Sequence, residues 1–178
     1  WEDHRPPTTT ILQGLQTAMT PAPEIMYVKG CDAIGNDTSG FAEAVQAAQA
    51  ADVVVLTVGD MSGLGKEHTV GETRDSATLK LPGVQQELIE AVHATGTPIV
   101  LVLITGRPYA LEWHHEHIPA IIEAWLPAEQ GGAAIADVLY GKVNPSGKLT
   151  VTFPRHVGQV PTYYNHKPSG QRSHWYIE

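Results

Sequence analysis

Short, continuous apolar runs along this chain take turns with stretches whose apolar residues recur three or four positions apart. The runs read as buried strands and the stretches as amphipathic helices. Val53-Val54-Val55-Leu56-Thr57-Val58 and Ile99-Val100-Leu101-Val102-Leu103-Ile104 have the length and β-branched content of strands, as does Ala120 to Leu126, and Ile25-Met26-Tyr27-Val28 predicts a short early one. Helical spacing joins Ile11, Leu12, Leu15 and Met19 behind the capping threonines 8–10, with Pro21 and Pro23 to stop the helix. It also joins Phe41, Ala44, Val45 and Ala48 behind the capping oxygens of Asp37, Thr38 and Ser39. Further helices are predicted after Pro82 (Val84, Leu88, Ile89, Val92), around Leu111 to His115, and through Ala133, Ile135, Ala136, Val138 and Leu139 up to Gly141.

Strand, helix and strand thus follow each other twice in succession, the pattern of βαβ units. Runs that stay apolar at every position are buried on both faces, as in a parallel sheet flanked by helices. Lys148 to Phe153 differs, because Leu149, Val151 and Phe153 alternate with Lys148, Thr150 and Thr152. An edge position, with an antiparallel neighbour as one option, would account for that alternation. Residues 1–9 have a linker's polar, proline-bearing composition, 10–156 hold the α/β pattern, and 157–178 form an irregular extension. That extension carries Tyr163, Tyr164 and Trp175, whose rings suit either packing on a neighbouring domain or contact with a sugar.

One stretch does not fit a packed domain. From Gly59 to Leu81 the chain runs GDMSGLGKEHTVGETRDSATLKL, with four carboxylates (Asp60, Glu67, Glu72, Asp75), three cations (Lys66, Arg74, Lys80) and His68 among four glycines. A connection this long is either functional or merely solvated. Loops that leave the carboxyl ends of parallel strands are where ligands bind in α/β sheets.

Composition narrows the chemistry. A formal net charge of -8, with 11 basic residues scattered among 19 acidic ones, argues against a nucleic-acid or anionic-membrane partner. No signal peptide or membrane span is recognisable, which leaves the compartment unresolved. The single cysteine, Cys31, excludes an internal disulfide and reads as a small buried hydrophobe rather than a nucleophile. The phosphate-loop pattern fails, since Gly65-Lys66 is followed by Glu67 and four carboxylates would repel a phosphate. The dinucleotide fingerprint fails as well, and neither Ser62 nor Ser146 lies in a Gly-x-Ser-x-Gly elbow. His114 and His117 share a helical face in Trp113-His114-His115-Glu116-His117, but without the spacing of catalytic zinc helices, so neither metal nor cofactor is predicted.

A glycosidase needs one carboxyl group to protonate the leaving oxygen and a second to attack or to activate water, and the loop offers candidates for the first. Gly71-Glu72-Thr73-Arg74-Asp75, then Leu79-Lys80-Leu81-Pro82-Gly83-Val84-Gln85, Gly106-Arg107-Pro108, Trp125 through Glu129-Gln130-Gly131-Gly132, and Asn144-Pro145-Ser146-Gly147-Lys148-Leu149 with Phe153-Pro154 occur in order. In these motifs the chain resembles the C-terminal α/β sandwich domain of glycoside hydrolase family 3, the β-glucosidases and β-xylosidases, from about Thr10 onward.

The resemblance implies a three-layer α/β/α sandwich around a mostly parallel sheet of about six strands. It implies a partner, an upstream barrel domain bearing the aspartate nucleophile of a retaining mechanism, and a β-linked glycoside as substrate. Glu72 matches the acid/base position, with Glu67 as fallback because such loops vary in length, and Asp60, His68 and Arg74 are expected beside the substrate. No barrel motif is present in these residues, so the chain alone is expected to be inactive. A noncatalytic carbohydrate-binding module using Trp175, Tyr163 and Tyr164 stays open as an alternative, as does a homo-oligomer.

Overall fold

The computed structural model describes residues 6–165. Three parallel strands form one sheet in the order β1 (Val54–Gly59), β2 (Ile99–Ile104) and β3 (Ala120–Glu123). Val54 lies opposite Ile99 and Gly59 opposite Ile104, while Val100 pairs with Ala120 and Leu103 with Glu123. All three strands therefore end at one edge, and the chain leaves that edge at Asp60, Thr105 and Ala124. The helices are α1 (Ile11–Thr17), α2 (Phe41–Ala50), α3 (Gln85–His93), α4 (Glu112–His117) and α5 (Gly131–Leu139), a pattern of sheet and crossover helices that defines an α/β fold.

Strand β2 is central because every residue in it is apolar. Leu101 and Leu103 on one face and Val102 on the other are fully buried, and each such side chain contributes about 1.5–3 kcal/mol by leaving water. Leu101 and Leu103 join Val58 of β1, Ala48 of α2 and Leu88, Ile89 and Val92 of α3 in one core. Half-buried Cys31 packs against the same core, and burial pushes its thiol up.

Helix α1 begins with a capping box. Thr10 Oγ1 accepts from Gln13 N at 3.2 Å, and Gln13 Oε1 accepts from Thr10 N at 2.9 Å. Its partner is α5, and the two backbones come close because both contribute glycine: a Cβ on Gly132 would lie 2.2 Å from Thr10 O, and one on Gly14 would lie 2.2 Å from Gly132 O. Thr9 N donates to Glu129 O and Tyr140 OH to Leu15 O, so the chain is tied to this helix pair from Thr9 onward. Among the described residues no helix is long and apolar enough to cross a membrane.

The described residues hold three parallel strands, where about six are expected. Several other expectations need correcting. Residues 25–28 and 148–153 form no ladder; Met26 and Tyr27 are 49% and 69% exposed, and Leu149, whose alternation suggested an edge strand, is 61% exposed. An alternating apolar set makes a strand only where a neighbouring strand and a covering layer are present. Strand β3 stops at Glu123, before the expected Leu126, because Trp125 takes a left-handed φ of 52° that bends the chain out of the ladder. Helix α1 ends at Thr17 and leaves Met19 43% exposed. Helix α2 is capped by Gly40 without a side-chain bond, and Asp37 Oδ1 instead accepts from Ser39 N.

Candidate active site

The long loop is not structureless. It begins where β1 ends, at Gly59, whose φ of 140° and close approach to Ile104 O leave no room for a side chain. Buried Gln85 at the start of α3 closes the junction: its Oε1 accepts from Gly59 N at 2.6 Å and its Nε2 donates to Gly59 O and Ala33 O, both at 2.8 Å. The next residue, Asp60, gathers the loop. Its Oδ1 accepts from Thr69 Oγ1 at 2.6 Å and from Tyr109 OH at 2.5 Å, and its Oδ2 accepts from Gly106 N at 2.9 Å. One carboxylate thus joins the end of β1, the middle of the loop and the turn after β2.

Beyond Asp60 the loop doubles back on itself. Thr69 N donates to Met61 O and Gly63 N to Val70 O, with Ser62 and Val70 forming an isolated bridge. Val70 is buried against Gly106, where a Cβ would lie 2.3 Å from a valine methyl. Val70 and Leu81 both join the buried apolar set, although the composition of the loop suggested that few of its side chains could. Arg107 then spans the neck: its Nη2 donates to Thr69 O at 2.9 Å and to Arg74 O at 2.8 Å.

Between those two carbonyls hangs the tip, residues 70–73, and Glu72 is exposed on it. Gly71 at φ 128° and Thr73 at φ 63° flank Glu72, and a β-branched residue in the left-handed region is an outlier. Among the described residues, Glu72 has no hydrogen bond or ion pair. Glu67 differs. Its carboxylate folds over Gly65, whose Cβ would meet Oε1 at 1.9 Å, and Oε1 lies 3.4 Å from His68 Nδ1. His68 is turned inward, with Nδ1 3.1 Å from Gly65 N and 3.3 Å from Gly65 O. Half-buried Arg74 closes a turn through its N–H to Gly71 O, and its Nε is buried without a hydrogen-bond partner. The loop therefore holds Asp60, His68 and Arg74 in its neck and Glu72 at its tip.

A second carboxylate, which sequence reasoning missed, sits at the same sheet edge. Glu123 ends β3, and its Oε1 accepts from Thr105 Oγ1 at 2.9 Å and Trp125 N at 3.0 Å. Its Oε2 is buried without a partner. Burial pushes the Glu123 carboxyl up, opposed by the bonds from Trp125 and Thr105 and reinforced by the charge of Asp60. The available signal was an acid at the end of an otherwise apolar run, Ala120-Ile121-Ile122-Glu123. The Tyr109 phenol is likewise held above its ordinary range, by burial first and by its bond to Asp60 second.

The histidines of α4 part company. His114 is buried with neither ring nitrogen bonded, and burial pushes its imidazole down. His117 stacks on Trp113 with ring centroids 4.4 Å apart. Of the aromatic residues in the extension, Tyr163 and Tyr164 are 49% and 90% exposed, and Trp175 lies outside the described residues.

An exposed acid thus stands on a braced loop at the carboxyl edge of a parallel sheet, the edge at which α/β domains bind ligands. The glycosyl hydrolase family 3 C-terminal domain matches this chain over residues 3–178, and the chain belongs to that family. It is 46% identical over 159 residues to a beta-xylosidase of Formosa agariphila, covering 89% of this chain and 21% of that protein. To a periplasmic beta-glucosidase of Salmonella typhimurium it is 42% identical over 185 residues, covering 92% and 23%. The solved structure of a β-glucosidase from Erythrobacter marinus superposes with a TM-score of 0.80 at 40% identity, over 93% of this chain and 25% of that one. The chain thus spans about a fifth of the length of the curated relatives it matches.

Proposed function

We propose that this domain supplies Glu72 as the general acid/base of a retaining β-glycosidase acting on β-linked glucosides or xylosides, with the nucleophile contributed by a barrel domain elsewhere in the same protein. The observation that carries the reading is the freedom of Glu72: it is exposed and unpaired among the described residues on a tip whose neck is tied to the sheet, whereas Glu67 is folded onto Gly65 and His68. A proton donor must reach a bond held by another domain; both side chains are exposed, but Glu67 lies against Gly65 and His68, whereas Glu72 has no such contact among the described residues. In the first step the nucleophile forms an ester with the anomeric carbon as the glycosidic C–O bond breaks, and the Glu72 proton passes to the leaving oxygen. In the second, Glu72 takes a proton from water as the water oxygen attacks the same carbon and the ester is released.

Retention requires the two carboxyls to stand about 5–5.5 Å apart. The motif that bears the family's nucleophile is not found in these residues, so the domain alone is expected not to turn over substrate; measurable hydrolysis of aryl glycosides by it would contradict this. The finer architecture, a three-layer sandwich of about six strands, belongs to the same reading.

The test is the dependence on leaving group in the enzyme containing this domain. Glu72→Gln is expected to lower kcat/KM by about 100- to 10,000-fold on glycosides with weakly acidic leaving groups, and far less on activated aryl glycosides, whose oxygens need little protonation, while kcat falls on both because release of the ester is common to them. Equal loss of kcat/KM on both classes would contradict the role.

A further inference from the structure

We infer that Arg107 is a positioning residue for Glu72, holding the proton-transferring carboxylate in place through the backbone without touching it. This rests on the reading of Glu72 given above. A single guanidinium nitrogen, Nη2, donates to the carbonyls of Thr69 and Arg74, at 2.9 and 2.8 Å. Two oxygens that share one nitrogen cannot stand farther apart than those two bonds laid end to end, so the strands of chain entering and leaving the tip are drawn together. Residues 70–73, Glu72 among them, become a closed bight whose base is set by Arg107.

The clamp is anchored in turn. Arg107 lies between Gly106, whose N–H donates to Asp60 Oδ2, and Pro108, which restricts the backbone, and two residues on Tyr109 OH donates to Asp60 Oδ1. Asp60 also accepts from Thr69 Oγ1, so Thr69 is held from its side chain by Asp60 and from its carbonyl by Arg107. Among the described residues Arg107 forms no salt bridge with a carboxylate. Its side-chain hydrogen bonds go to the backbone of the loop, which is the use a pre-organised planar fork serves better than a flexible ammonium. Gly71 and Thr73 lie within the bight at left-handed φ values, and Thr73 at 63° is a conformation that a threonine leaves when nothing constrains it. The clamp supplies that constraint.

The experiment uses the enzyme containing this domain, with Arg107→Met, Arg107→Lys and Glu72→Gln measured in parallel on aryl β-glycosides whose leaving phenols range from acidic to weakly acidic. Displacing a catalytic group by about 1 Å costs on the order of 100-fold. Arg107→Met is therefore expected to lower kcat/KM by about 10- to 100-fold on weakly acidic leaving groups and to spare kcat/KM on activated ones. Arg107→Lys should recover part of that loss, and amide hydrogen exchange should accelerate in residues 70–74 of Arg107→Met while β1 and β2 keep their protection. A uniform loss on all substrates, or unchanged exchange in 70–74, overturns the inference while leaving the role of Glu72 intact if Glu72→Gln is selective. If Glu72→Gln itself shows no selectivity, the reading of Glu72 fails, and the positioning role falls with it for that separate reason.

Discussion

Asp60→Asn tests how the loop is held to the sheet. The substitution preserves shape but exchanges an acceptor-only carboxylate for a group with one oxygen and one NH2. With the amide oxygen kept toward Thr69 and Tyr109, the NH2 faces the Gly106 N–H, donor against donor, and that bond is lost. With the amide reversed, Gly106 is satisfied, but the Tyr109 hydroxyl, on a residue only 2% exposed, loses its acceptor. The first arrangement loses one charge-assisted bond, worth about 1.5–3 kcal/mol, the second loses those from both Tyr109 and Thr69, and the survivors become neutral and weaker. We expect a destabilisation of about 3 kcal/mol, which for a chain of this size lowers Tm by roughly 6–12 °C. Urea unfolding of the purified chain followed by circular dichroism should show a lower midpoint with an unchanged slope. Tyr109→Phe should cost less in the Asp60→Asn background than in the wild type, with a coupling of at least about 0.5 kcal/mol. A midpoint within about 0.5 kcal/mol of wild type would refute the argument that this carboxylate braces the loop.

Gly132→Ala places a Cβ 2.2 Å from Thr10 O and is expected to separate α1 from α5 at a cost of about 1–3 kcal/mol, read from the same urea midpoint. Burial lowers the His114 pKa, so the unfolded chain binds more protons than the folded one below about pH 6.5. Stability is then full above that pH and falls as pH drops toward the folded value, by at most about 1.4 kcal/mol per pH unit for this proton. His114→Phe should remove that part of the slope in unfolding measurements from pH 7 to 5. Glu123 has a raised pKa from burial, and its contribution is largest at low pH and lost as pH rises. Glu123→Gln, which can keep the bonds from Thr105 and Trp125 while discharging the buried oxygen, is expected to leave the urea midpoint at pH 7 within about 1 kcal/mol of wild type or raise it.

The parts of this domain legible in its sequence are those where burial on both faces leaves no choice of residue. Ile99 to Ile104 reads as a central parallel strand because all six positions must be apolar, and it is one. Threonines 8–10 announce the start of α1 as cap candidates, and Thr10 takes that place, in a capping box with Gln13 that the structure adds. Residues 25–28 and 148–153 were misread because a strand exists only where a partner completes its ladder, and a local pattern does not reveal whether one is present. The motif around Glu72 was legible as a family resemblance, but the order of the loop that carries it was not. Arg107 acts on backbone carbonyls, which leave no mark on the residues that carry them. Asp60 and Glu123 are joined to partners 46 and 18 positions away, among others. Nothing in their immediate neighbours anticipates those bonds.

The proposed proton shuttle of Glu72 is tested most directly by removing the carboxylate and supplying a nucleophile that needs no base. In the enzyme containing this domain, Glu72→Ala should hydrolyse an activated aryl β-glycoside slowly, limited by release of the glycosyl–enzyme ester. Added azide should then accelerate turnover and yield a β-glycosyl azide that the wild type does not accumulate. Failure of azide to change either the rate or the product, in a variant that still forms the ester, would contradict the assignment.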